Sequence, residues 1–202
     1  MQQQSQDPVV LLAIIDALKQ KIVRLEGEVH EARRDELTGL PKRTDLADAT
    51  QNALSKGQLP TSVVFIDLNR FKEINDTMGH AAGDSLLIQF AQFLNNQKEL
   101  LEGAGVLAMI SRLGGDEFAI LLPYTPETVA LEFVSTVKEN LRKKVFMVEG
   151  GKISIYSAMG TATTGPKCAT VSDLLHYADK AMYADKESMT SAGEVTKMEI
   201  IS

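Results

Sequence analysis

Two acids beside a glycine pair are the first sign of chemistry in this chain. In "SRLGGDEFAILL", Ser111 to Leu122, the residues Gly114, Gly115, Asp116 and Glu117 interrupt two apolar runs that read as strands. Glycines at such a point allow positive φ and leave room for a ligand to approach the backbone. Asp116 and Glu117 then emerge at the tip of a hairpin. For this string alone a plain β-turn is an equal alternative, since Gly-Asp pairs are common in hairpins. A second acid shifts the balance. The β-branched run "TSVVFIDL" ends in Asp67, so a carboxylate leaves a buried strand at its C-terminal edge. Two carboxylates facing one space are suited to Mg²⁺, which takes oxygen ligands and keeps substrate phosphates in its shell. Two such ions about 4 Å apart can clamp the attacking and leaving oxygens of a phosphoryl transfer.

The residues after Asp67 supply the remaining parts of a nucleotide site. In "DLNRFKEINDTMGHAAGD" the loop amides around Arg70 and Phe71 suit phosphate, and Lys72 adds a cation. Asn75, His80 and Asp84 can read a base or a sugar. A carboxylate such as Asp84 can accept from the N1–H and N2–H₂ of guanine, a pairing adenine does not offer. Taken singly, Lys72 reads as a solvated lysine, His80 as a turn or cap residue, and Asn75 as a local turn former. Their joint spacing argues for a site.

These groups need a scaffold, and the hydrophobic pattern describes one. A helix is predicted over "PKRTDLADATQNALSKG", with Pro41 near its first turn and Gly57 at its end. The strand Thr61 to Leu68 follows, then the polar segment, then a helix from about Ala81 to Gln97. Strands at about Val106 to Leu113 and Glu117 to Leu122 flank the glycine pair. A helix begins at Pro126, "KISIYSAMGTAT" alternates as a strand, and "SDLLHYADKAMYADK" is the last helix, with Ser172 as its cap. "VTKMEII" adds an edge strand. The middle of this order is βαββαβ, an α+β arrangement of the ferredoxin-like or palm type. In such sheets the central hairpin pairs beside the first strand, which would bring Asp67 and Asp116 together.

Ahead of this core, Leu11, Ile15, Leu18, Ile22, Leu25, Val29 and Ala32 recur at alternating steps of four and three. β-branched residues at a and leucines at d predict a parallel two-stranded coiled coil. A helix docked on its own domain is the alternative, but that usually needs a wider apolar face. The expected organisation is a dimerisation helix over residues 1–34 and a catalytic domain over 35–202.

The whole chain sets limits on these readings. Its 202 residues, 44% hydrophobic and 24% charged, fit one globular domain with an extension. A net charge of −6 lacks the basic footprint of a nucleic-acid binder. Cys168 stands alone, so no internal disulfide is expected, and a reducing compartment fits. "MQQQSQDP" has no basic leader, and the apolar run Val9 to Ile15 is far shorter than the ~20 residues a spanning helix needs. The reading is a cytoplasmic protein, or the cytoplasmic piece of a larger one bearing an upstream sensor domain, without membrane contact from this segment. Cys168 and His176 read as structural, and His30 as a solvated position.

With these blocks on the page, the chain resembles the GGDEF domain, the diguanylate cyclase family, over roughly Asp35 to Lys186. "DELTGLPKR", "DLNRFKEINDTMGHAAGD", "RLGGDEF" and "ADKAMYADK" match in order and spacing. The resemblance implies a nucleotidyl cyclase-like fold and condensation of two GTP into cyclic di-GMP, with release of pyrophosphate, across a homodimer. It implies that Asp67, Asp116 and the Leu68 carbonyl bind Mg²⁺ (or Mn²⁺). Asp116 would accept the 3′-hydroxyl proton, assisted by Glu117, and Lys72 would stabilise phosphate charge. Asn75, His80 and Asp84 would contact GTP, the loop amides at Arg70 and Phe71 its phosphates, and Lys186 the triphosphate. Two departures stand out. Gly105 and Ala108 occupy the positions of the family's Arg-x-x-Asp product-inhibition site, so no such site is expected. Thr190 stands where a triphosphate-binding arginine would fall, and losing one charge-assisted bond of ~1.5–3 kcal/mol would weaken GTP binding. The rival expectation is a degenerate domain that binds GTP or a partner protein without catalysis.

Overall fold

Every residue of strand β1 (Ser62–Leu68) is buried, and its sequence, SVVFIDL, is accordingly a nearly continuous apolar run. A strand reads this way when both faces of its sheet are covered. The computed structural model describes residues 8–57, 60–192 and 197–200. The chain divides into two compact units, Met1–Arg34 and Asp35–Ser202.

The first unit contains helix α1 (Pro8–Ala32). Its predicted seam residues Leu11, Leu18, Ile22, Leu25 and Val29 are all exposed, at 43% to 54% of their full area. Off the seam, Leu12, Ile14 and Val23 are exposed as well. The side chain of His30 lies outside the described residues.

The second unit runs α2 (Arg43–Ser55), β1, α3 (Phe71–Met78), α4 (His80–Gly103), β2 (Met109–Gly114), β3 (Glu117–Leu122) and α5 (Glu127–Lys143). It continues through β4 (Phe146–Val148), β5 (Gly151–Ser154), β6 (Ser157–Thr163), α6 (Val171–Ala192) and β7 (Lys197–Ile200). The main sheet has the order β2-β3-β1-β6 with antiparallel neighbours throughout, which is the predicted βαββαβ topology. Alternate residues of β1 feed two cores. Val64, Ile66 and Leu68 pack with Leu86, Phe90 and Leu94 of α4 and Phe133 and Val137 of α5. Val63 and Phe65 pack with Leu46 of α2 and Leu174, Ala178 and Met182 of α6. At Gly160 the approach of α6 to β6 is so close that a Cβ would run into the backbone at Met182 N and Ala178 O.

Several element boundaries differ from the sequence reading. The polar segment after Asp67 folds into α3, because Ile74 is fully buried and Phe71 and Met78 pack against the core. Gly79, at φ +87°, separates it from α4, which starts at His80 and runs past Gln97 to Gly103. β2 begins at Met109 rather than Val106, since the amides of Gly105 and Val106 close the end of α4 on the carbonyls of Glu102 and Leu101. "KISIYSAMGTAT" is two strands: β6 belongs to the main sheet, while β5 pairs with β4 and β7 in a small second sheet. The last helix is capped by Thr170 and not Ser172. Thr170 Oγ1 accepts from the Asp173 amide at 3.1 Å, while Asp173 Oδ2 accepts from the amide of Thr170 at 3.0 Å. This reciprocal pair is a capping box with Asp in the place of Glu.

Candidate active site

The register between β1 and β3 places Asp67 opposite Glu117, and the Leu68 amide donates to the Asp116 carbonyl at 3.3 Å. The two predicted metal-binding carboxylates therefore leave adjacent strands at one end of the sheet. The hairpin between β2 and β3 is bulged between Arg112 and Gly114, and Gly114 and Gly115 have φ of +144° and +52°. A side chain at either position would be strained, which answers why two glycines precede the acids. Phe118 returns the chain to the core: it is fully buried and meets the Phe90 ring edge-on at 5.1 Å. A buried anchor directly after an acidic tip fixes where Asp116 and Glu117 stand.

The charges at this end are interdependent. Asp67 is 8% exposed, and its Oδ1 accepts from Lys186 Nζ of α6 at 2.6 Å. Burial, and then the negative charge of Asp67, pushes the Asp116 carboxyl above its ordinary value. Burial also raises Glu117, opposed by the Arg43 guanidinium and reinforced by Asp67 and Asp116. Arg43 Nη2 lies 3.7 Å from Glu117 Oε2. The site thus clusters three carboxylates whose charge Lys186, Arg43 and Arg112 partly offset, a setting in which an oxygen-ligated cation is stabilising. Among the described residues, no group of three His, Cys, Asp or Glu side chains could hold a metal by itself. Two carboxylates with the Leu68 carbonyl are an all-oxygen donor set of the kind that suits Mg²⁺.

The other sequence-predicted residues line the elements that follow β1. Arg70 precedes α3 with φ +63° and pairs with Glu73 at 3.2 Å. Phe71 opens the helix half-buried, so its amide and that of Lys72 are first-turn donors without intrahelical partners. Lys72 is exposed on α3, Asn75 is half-buried four residues after Phe71, and His80 and Asp84 are exposed one turn apart at the start of α4. The structure brings Asp67, Leu68, Asp116, Glu117 and Lys186 together. Lys72 and Asn75 instead stand on α3, and His80 and Asp84 on the first turns of α4. Gly105 lies in the turn after α4 with φ +83°, and Ala108 packs partly buried ahead of β2. The side chain of Thr190 lies outside the described residues.

Sequence reasoning missed three supports of this site. Asp35 Oδ1 accepts from the Thr38 amide at 2.8 Å, the Thr38 hydroxyl at 2.6 Å and Arg112 Nη1 at 2.8 Å. Arg112 in turn donates from Nη2 and Nε to the Gly115 carbonyl at 2.7 and 3.1 Å, gripping the hairpin turn. Burial opposes ionisation of Asp35, but the bonds from Thr38 and Arg112 outweigh it and hold the carboxyl below its ordinary value. The second support is Arg43. The third is Asp185, which accepts from the Met159 amide at 2.8 Å and from Lys138 Nζ at 2.6 Å. It ties α6 to β6 and α5 one residue before Lys186. Only Asp35 had a local signal, the Asp-x-x-Thr spacing of a side-chain-closed turn.

A family profile described as diguanylate cyclase, GGDEF domain, matches residues 32–192. The chain belongs to the GGDEF family. It is 33% identical over 194 residues to the diguanylate cyclase TpbB of Pseudomonas aeruginosa, covering 92% of this chain and 43% of that protein. The chain thus spans less than half the length of this relative. Over 173 residues it is 30% identical to the response regulator PleD of Caulobacter vibrioides, covering 83% of this chain and 37% of that protein. The solved GGDEF domain of TpbB superimposes with a TM-score of 0.69 at 34% identity, over 77% of this chain and 89% of that one. The family places the fold as α+β and nucleotidyl cyclase-like, as the topology predicted. No helix among the described residues is long and apolar enough to cross a membrane.

Proposed function

We propose that this chain is a Mg²⁺-dependent diguanylate cyclase that condenses two GTP into cyclic di-GMP and two pyrophosphates across a homodimer. The observation that carries this reading is the convergence of Asp67 and Asp116 at one sheet edge beside Lys186, on a hairpin whose glycines, bulge and Phe118 anchor fix the acids. TpbB, named a diguanylate cyclase, supports it.

Asp67, Asp116 and the Leu68 carbonyl would hold the ion. Bound Mg²⁺ would neutralise the repulsion between these carboxylates and an incoming triphosphate. Asp116, assisted by Glu117, takes the proton from a 3′-hydroxyl, a poor nucleophile near neutral pH without such help. The freed oxygen attacks the α-phosphorus of the GTP held by the second protomer, and pyrophosphate leaves; the reciprocal step closes the ring. The loop amides around Arg70 and Phe71, the Lys72 ammonium and Lys186 receive phosphate oxygens. Asn75, His80 and Asp84 contact the nucleoside, with Asn75 and Asp84 at guanine. Lys186, which donates to Asp67 Oδ1 at 2.6 Å, stands beside the acids where a triphosphate would enter.

Each domain carries one half-site, so two must face each other. The heptad face of α1 supports dimerisation through residues 1–34, with 35–202 as the catalytic domain. The reading is tested by pyrophosphate release from GTP and Mg²⁺, comparing the parent with Asp116→Asn. A steady rate in the parent, lost in the variant, supports it. GTP binding without release in the parent would favour a degenerate signalling domain, as the threonine at position 190 would allow.

A further inference from the structure

Gly83 lies buried near the start of α4, in ordinary helical conformation, where glycine is among the poorest helix formers. Its φ is not positive, so the backbone does not demand it. Gly103, in the same helix, has nothing within 4 Å of a built Cβ. At Gly83 a Cβ would overlap Oδ1 of Asn75 and come within 3.0 Å of its Cγ and 3.2 Å of Phe71 Cζ. The carboxamide of Asn75 therefore rests in the space that a side chain at position 83 would fill.

The nature of the overlap matters. At Gly160 a Cβ would meet helix backbone, which cannot turn aside. At Gly83 it meets the far end of a short side chain with two rotatable bonds. A methyl group there turns the carboxamide away and leaves α3 seated on α4. The Phe71 contact asks only a few tenths of an ångström of a ring tip. The effect of a side chain at position 83 therefore falls on where Asn75 points, not on the fold.

We infer that Gly83 is a positioning residue: it holds the Asn75 carboxamide in the orientation that favours guanine over adenine nucleotides. The inference rests on the reading of Asn75 as a base contact. It makes Gly83 a determinant of substrate choice although it has no side chain to offer the nucleotide. Asp84 follows it in the chain and is exposed, so the second base contact is left in place when position 83 changes.

The test is calorimetric binding of 3′-deoxy-GTP and 3′-deoxy-ATP with Mg²⁺. Both lack the hydroxyl that condenses, so the readout does not depend on turnover. The parent chain is compared with Gly83→Ala, Asn75→Ala and the double variant. Gly83→Ala is expected to cut the guanine preference about 5- to 10-fold, the worth of one hydrogen bond, with a melting temperature unchanged or higher. Asn75→Ala should cut it equally, and the double variant no further, because both changes remove one contact. Should Gly83→Ala lower the melting temperature, Asn75→Ala in the same chain must restore it. Parent-like preference in Gly83→Ala, a double variant showing the product of the two losses, or a melt that Asn75→Ala fails to restore overturns the inference. Parent-like preference in Asn75→Ala would instead remove the base-contact reading on which it stands.

Discussion

Removal of Asp35 should loosen the acidic hairpin between β2 and β3. Asp35→Ala deletes three hydrogen bonds, those from the Thr38 amide, the Thr38 hydroxyl and Arg112 Nη1. It also leaves the Arg112 guanidinium, whose side chain is only 10% exposed, without its counter-charge. Breaking a buried pair by removing one partner costs about 3–5 kcal/mol. Asp35 itself is 22% exposed, so water can enter the gap, and Arg112 keeps the Gly115 carbonyl. The expected loss is therefore about 2–4 kcal/mol. For a domain of this size that lowers the melting temperature by about 5–12 °C. The pH dependence has a definite sign. The folded carboxyl lies below its ordinary value, so its contribution is present above the unfolded pKa and disappears as pH falls through the folded one. Urea unfolding of parent, Asp35→Ala, Arg112→Ala and the double variant measures the coupling, which should exceed about 1 kcal/mol at neutral pH. Additive losses, or an Asp35→Ala effect below about 0.5 kcal/mol, would refute the strut.

Further outcomes follow from other parts of the structure. Gly160→Ala should destabilise the domain by about 1–3 kcal/mol in urea, because the added methyl meets α6 backbone rather than a side chain. In EDTA, Asp116→Asn should raise the melting temperature at pH 7 and leave it unchanged in acid. The raised carboxyl favours the folded state below its unfolded pKa, and that benefit is lost as pH rises through the folded pKa. Glutamates in place of Leu18 and Ile22 should yield a monomer by light scattering, with little activity; an unchanged mass would remove the coiled-coil reading. Added cyclic di-GMP should leave initial rates nearly unaffected, since Gly105 and Ala108 offer neither guanidinium nor carboxylate, and strong non-competitive inhibition would contradict this.

The sequence was informative where a local pattern decides the structure. The continuous apolar run of β1, the glycine-interrupted hairpin and the heptad of α1 are each dictated by neighbours in the chain. The βαββαβ order followed from them, and with it the meeting of Asp67 and Asp116. What the sequence hid depends on partners far away. Asp35 and Arg112 are 77 positions apart, and Arg43 reaches Glu117 from another helix, so neither pair has a spacing to read. α3 was overlooked because its helix is mostly polar, and only Ile74 is fully buried. The residues that could do chemistry were visible because their types are unusual in place, an acid at a strand end and two glycines in a hairpin. The residues that hold them steady were ordinary in type and became recognisable only by contact.

The central claim is that this site joins two GTP through Asp116. Its most direct measurement is chromatography with mass detection of the products from GTP and Mg²⁺, run for the parent chain and Asp116→Ala in parallel. The account predicts cyclic di-GMP and pyrophosphate in a ratio of one to two from the parent, and neither from the variant. Cyclic di-GMP from Asp116→Ala at the parental rate, or a parent that binds GTP and returns it unchanged, would contradict it.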